Sequence, residues 1–154
     1  MKSMVLAEKF KVVRGKANCE TALSGVAAVP ASGSYVDVSG YDVAHIIVHL
    51  GTLHTSDTPV FTPKCADSVS GTLDVIDATL AKTPDPDADD GQLLTWSIQV
   101  AKLPLDHHFL AVAQTGTLTN GSYADVLFLL EGGNEPVSQS TTYLPSDNQF
   151  TWVG

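Results

Sequence analysis

The sequence predicts an almost entirely β protein, on three observations: short apolar runs that alternate at period two, turn residues between those runs, and a surface low in charge. Of 154 residues, 44% are hydrophobic and only 16% charged, with 12 Gly and 8 Pro spread along the chain. Globular proteins usually carry about 25% charged residues, so Ser, Thr, Gly and Asn must cover much of this surface. Many short strands joined by tight turns need that composition; a helix bundle does not. The length suits one domain, because a chain of this size buries about 68–70% of its unfolded surface and needs no staple to hold a core.

The first readable strands lie between residues 34 and 50. SYVDVS at 34–39 alternates, Ser39-Gly40 supplies a turn, and residues 42–50 then place Ala44, Ile46, Val48 and Leu50 on one face. The opposite face shows His45, Ile47 and His49, so it is only half polar. TPVFTPKC at 58–65 is extended, but Pro59 and Pro63 lack a ladder donor and confine it to a sheet edge. A short strand follows at 72–76, and TPDPDADDG at 83–91 is an exposed loop, too rich in Pro and Asp to pair or to bury surface. Beyond it Leu94, Trp96, Ile98 and Val100 alternate with Thr95, Ser97 and Gln99, with Trp96 as a core anchor. Asn120-Gly121 is a strong turn signal, so residues 108–130 are expected to form an antiparallel hairpin. Its second strand has Ala124, Val126, Phe128 and Leu130 on one face and Leu127 and Leu129 on the other. Such a strand must be central, or lie beneath a partner subunit.

Charge divides the chain. Residues 1–16 hold five cations, Lys2, Lys9, Lys11, Arg14 and Lys16, against Glu8, while the rest holds three cations against sixteen carboxylates. An acidic body of this kind repels phosphate backbones, which excludes a nucleic-acid partner. No run of about 18 apolar residues offers a membrane-spanning helix, and MKSMVLAEKFKVVRG lacks the unbroken apolar core of a signal peptide. The expected site of synthesis is therefore the cell interior. Cys19 and Cys65 are 46 residues apart with no zinc spacing. Two independent buried thiols are the first reading, and a disulfide between them the second. The three-part layout expected is a basic N-terminal arm at 1–20, a β domain at 21–133 and an extended C-terminal arm at 134–154, ending in Phe150 and Trp152.

No catalytic or cofactor motif survives inspection. Asp85-Pro-Asp-Ala-Asp-Asp-Gly91 imitates a calcium loop, yet Asp90 stands where the loop requires glycine and Trp96 where it requires the bidentate Glu. His45 and His49 on a strand are separated by roughly 13 Å, too far to share one ion. His107 and His108 are adjacent and point to opposite faces. A nucleophile elbow, a Ser-x-x-Lys pattern, GxGxxG and a Walker loop are all missing. The expectation is a protein that is not an enzyme and carries neither cofactor nor metal.

Three stretches resemble small structural proteins of tailed bacteriophages. They are SYVDVSGYDVAHIIVHLG at 34–51, the turn into an aromatic-led strand LDHHFL at 105–110, and the apolar strand ending in glycines, VLFLLEGG at 126–133. The resemblance spans about residues 34–133 and is one of fold pattern. It implies an antiparallel β-sandwich, jelly-roll-like, that acts as a capsid cement or decoration protein on the exterior of the virion. The partners implied are the major capsid protein and further copies of the chain, as a homotrimer, assembled in the host cytoplasm. No catalytic residues come with it. On this reading Lys9, Lys11 and Arg14 of the N-terminal arm, with Phe150 and Trp152 of the C-terminal arm, bind the capsid, and deletion of residues 1–16 leaves a folded body. A tail or head-tail junction protein and a carbohydrate-binding β-sandwich are the alternatives.

Overall fold

The computed structural model describes residues 10–15, 21–22, 26–117 and 121–133, with the side chains of 21–22 and 122–124 left aside. The strands in chain order are β1 Phe10–Arg14, β2 Thr21–Ala22, β3 Ala28–Val29, β4 Val36–Asp37 and β5 Val43–Leu50. They continue as β6 Thr58–Ala66, β7 Asp74–Val75, β8 Leu93–Gln99, β9 Phe109–Thr117 and β10 Ser122–Glu131. Two antiparallel sheets pack together as a β-sandwich. The first runs β1-β10-β5-β8, with β2 also on β10; the second runs β3-β9-β6-β7, with β4 also on β9. If β1 and β2 are taken as one interrupted strand, and β3 and β4 as another, the chain changes sheet at every step except β6 to β7. That is the double Greek-key winding of an eight-stranded jelly roll.

The core is the sum of the inward rows. Ala44, Ile46, Val48 and Leu50 of β5 are fully buried, as are Phe128 and Leu130 of β10, and Trp96 and Ile98 of β8 stay about 5–6% exposed. They meet Val29, Val36, Phe61, Cys65, Leu110 and Val112 of the second sheet. The Trp96 indole N–H donates to the Leu80 carbonyl at 2.7 Å, which lets a polar atom enter the core with its partner. Leu80 ends a short 3-10 turn, Ala78–Leu80, whose N-cap Asp77 accepts the Thr79 N–H at 2.8 Å.

β6 shows how its two prolines are accommodated. Phe61 exchanges hydrogen bonds of 2.9 Å with Lys82 on the side away from β9. By the two-residue period Pro59 and Pro63 turn the same way, so their missing donors leave the β6–β9 ladder untouched. The prolines predicted a sheet edge, but β6 lies between β9 and β7; among the described residues its outward side meets Lys82 and the two-residue β7, so few ladder bonds fall where the prolines lack a donor. Opposite Pro59, Gly116 has φ +90°, and a Cβ there would collide with the Thr58 carbonyl.

Two further expectations are corrected. Residues 108–130 do not form a hairpin: β9 pairs with β3, β4 and β6, whereas β10 pairs with β1, β2 and β5 in the other sheet. Each strand is apolar on both faces, so each takes a central position in its own sheet. Within the segment expected as an N-terminal arm, residues 10–14 are strand β1, paired with β10 from Phe10↔Glu131 to Arg14↔Leu127. Val13 packs on the core, which is why this stretch joins the body. Deleting residues 1–16 would therefore remove an edge strand of the first sheet, and a cut that spares the sheet ends at residue 9. The expected arm 134–154 and Cys19 lie outside the described residues. Cys65 is a free, fully buried thiol.

Gln114 is the one polar side chain of β9 on the inward row. It is 5% exposed, and neither atom of its amide has a hydrogen-bond partner. Leaving such a group unpaired costs about 1–3 kcal/mol. Gln114→Met keeps the volume and removes the polar atoms, so it should raise unfolding stability by about 1–2 kcal/mol in urea titrations. An unchanged or lower midpoint would mean that the amide is satisfied in solution.

Candidate functional site

The outward face of the first sheet is the surface most unlike an ordinary solvated one. Register places Phe10, Val12 and Arg14 of β1 beside Glu131, Leu129 and Leu127 of β10, and these beside Val43, His45 and Ile47 of β5. Thr95, Ser97 and Gln99 of β8 complete the rows. Phe10, Val12, Val43, Ile47, Leu127 and Leu129 are all half-buried, although among the described residues no second sheet packs on this side. A free antiparallel sheet presents polar residues outward; here the middle of the face is a patch of aliphatic side chains. A shallow groove of about 310 Å³ runs between Phe10, His45, Ile47 and Ser97.

Polar groups brace this face from strand to strand. The His45 ring contacts Ser97 Oγ through Nδ1 at 2.9 Å and Glu131 Oε2 through Nε2 at 3.1 Å, which links β8, β5 and β10. In the neutral ring Nε2–H donates to the carboxylate, and Nδ1 accepts the serine hydroxyl hydrogen. Phe10 stands edge-on to the same imidazole, with centroids 5.8 Å apart. Arg14 Nε lies 2.9 and 3.1 Å from the two Asp125 carboxylate oxygens. Hydroxyl, imidazole and carboxylate in line are also the parts of a nucleophilic relay, but here they lie on a flat sheet face rather than in a cleft. What they do in the structure is fix the ring and tie three strands together.

Of the residues expected to bind a partner, two lie within the described chain. Arg14 is on the outward face and is ion-paired with Asp125. Lys11 alternates to the other side of β1, where it lines a cleft with Pro30, Tyr35 and Asp37 at the side of the sandwich. The two do not converge. Lys9, Phe150 and Trp152 lie outside the described residues. His49 sits exposed at the end of β5, apart from the His45 brace. Trp96 is buried and offers no face to stack a sugar.

The aspartates of residues 85–90 act as local acceptors. Asp89 takes the Asp85 N–H at 2.7 Å, Asp85 the Asp87 N–H at 2.9 Å, and Asp90 the Leu53 N–H at 2.6 Å. Among the described residues no three His, Cys, Asp or Glu side chains gather as metal ligands. No protein-family model, curated protein or solved structure matches the chain.

His107 is the clearest titrating group. Its Nδ1 faces the Leu105 carbonyl at 2.9 Å and its Nε2 faces Asp74 Oδ2 at 3.1 Å. Both ring nitrogens thus meet acceptors, a setting that suits imidazolium. The Leu105 carbonyl first and the Asp74 carboxylate next raise the His107 pKa above 6.5. The contact joins the lead into β9 to edge strand β7. A raised folded pKa means that the contribution is fully present below the unfolded value and is lost as pH rises through the folded one. The stability advantage of the wild type over His107→Gln should therefore be largest near about pH 6 and fade by about pH 9. Thermal unfolding of both proteins across that window checks it, and a gap independent of pH would refute the assignment.

Proposed function

We propose that this chain is a capsid cement or decoration protein that seats on the exterior of a tailed-bacteriophage shell and stabilises it by burying surface. One observation carries the reading: the outward face of the first sheet presents Phe10, Val12, Ile47, Leu127 and Leu129 at half burial on a rigid jelly-roll body. An aliphatic patch with a polar rim is the usual composition of a contact surface. Low charge density and the resemblance of residues 34–133 to phage structural proteins support it further.

The action proposed is mechanical. Each copy bridges neighbouring shell subunits, and a specific contact needs about 800 Å² per partner. The patch supplies the apolar centre, while the Arg14–Asp125 ion pair and the His45–Glu131 hydrogen bond are satisfied within the chain. Repetition over the shell then adds avidity to a modest single contact. Residues 1–9, with Lys9, and 134–154, with Phe150 and Trp152, are proposed to add contacts beside the patch.

Quantitative gel densitometry and electron cryomicroscopy of the same purified particles test the proposal. The expected result is hundreds of copies at regular positions on the icosahedral shell. A handful at one vertex would move the chain to the head-tail junction or tail, and none would remove it from the virion. The double variant Leu127→Lys, Leu129→Lys should keep its far-ultraviolet spectrum and lose shell binding by at least about tenfold, since each charge would enter a desolvated contact. Full occupancy by that variant would show that another surface binds.

A further inference from the structure

We propose that β8 is a self-association edge, through which two copies of this chain join their first sheets antiparallel across a two-fold axis. The direction of its backbone groups follows from three hydrogen bonds. Leu50 N–H donates to the Gln92 carbonyl, and Val100 N–H to the Asp42 carbonyl, each at 2.9 Å, so even-numbered residues face β5. Lys82 Nζ reaches the Thr95 carbonyl from the other side at 2.7 Å. Leu93, Thr95 and Ser97 therefore aim their amides away from the sheet. All three residues are exposed, and no hydrogen bond from their N–H groups occurs among the described residues.

The other sheet shows what a guarded edge looks like. β7, β3 and β4 are two residues long, and β6 turns Pro59 and Pro63 outward. Short strands and prolines are the usual devices against edge pairing. β8 has neither: it is seven residues long and pairs with β5 from Val43↔Gln99 to His49↔Leu93 without a bulge. Among the described residues its single guard is Lys82 over the Thr95 carbonyl. An unguarded edge of this kind templates another strand.

Charge selects the occupant. LLTWSIQ contains no ionisable residue, although the whole chain carries a formal charge of −9. The strand residues of two copies meeting along β8 thus set no like charges opposite each other, and the two Lys82 side chains, each beside Thr95, lie on opposite sides of the axis. An antiparallel edge is its own complement under a two-fold rotation. Centred on Ser97, the pairing sets Ser97 of one copy opposite Ser97 of the other and Thr95 opposite Gln99, and Lys82 must swing off the Thr95 carbonyl for that second pair to close. This contact gives dimers or even-numbered assemblies, in place of the three-fold assembly that the phage resemblance implies. It leaves the outward patch of the first sheet open and does not depend on the shell-binding proposal.

Sedimentation velocity of the full chain between about 10 and 500 µM, a range that covers weak specific pairing, is the test. The wild type should show a monomer–dimer equilibrium, and Thr95→Pro should sediment as a monomer throughout. That proline removes only an outward donor, so the β5 ladder and the Ser97–His45 contact remain. Amide exchange on the wild type supplies an independent readout should the variant fold poorly: protection of Thr95 and Ser97 should rise with protein concentration. A wild type that stays monomeric at the highest concentration, a trimer, or an association that leaves these two amides unprotected would overturn the proposal.

Discussion

The register of β10 against β5 is the constraint on which the rest of the molecule depends. Phe128 opposite Ile46 and Leu130 opposite Ala44 set the inward row, while Leu127 opposite Ile47 and Leu129 opposite His45 set the outward one. A slip of one residue would exchange the two rows and send Phe128 to the surface. The pairing is flanked along residues 127–131 by β1, whose Val13 lies opposite Phe128, and at Ser122 and Tyr123 by β2, and it is braced across the outward face by the His45–Glu131 contact. Core packing and the surface patch are therefore two sides of one alignment.

Much of this was legible in the sequence because period two is a local property. The inward rows of β5 and β8, the core position of Trp96 and the central place of β10, apolar on both faces, all follow from residues read a few at a time, whereas β6, whose prolines predicted an edge, lies between β9 and β7. What stayed hidden is what depends on distant pairing. Asn120-Gly121 is a sound turn signal, but it does not say whether the next strand returns beside its predecessor or crosses to the other sheet. Residues 10–14 look like the continuation of a basic arm, and only the space beside β10 makes them a strand. His45 was visible as a histidine on an outer face. Ser97 and Glu131, which fix its ring, stand in other strands, and only register brings them near.

The surface is organised by the same economy of charge. Few residues are charged, and on the outward face of the first sheet Arg14 is ion-paired with Asp125 while Glu131 is hydrogen-bonded to His45. The aspartates of the 83–91 loop are largely engaged with nearby backbone. Contacts made by such a molecule rest on shape, aliphatic area and backbone groups more than on charge steering. This fits a part that works by fitting against flat neighbours.

The winding also bears on how the chain acquires its shape during synthesis. The strand at the centre of the first sheet is the last of the described strands, and Phe10 finds its place opposite Glu131. Until β10 has left the ribosome, β1 and β5 have no strand between them, and apolar rows on both stay uncovered. Pairings this distant in sequence form slowly, because loop closure must precede the contacts that reward it. A nascent chain stalled before residue 122 would hold most of the second sheet and only the β5–β8 ladder of the first. Such a fragment is the form of this protein most open to aggregation and most in need of chaperones.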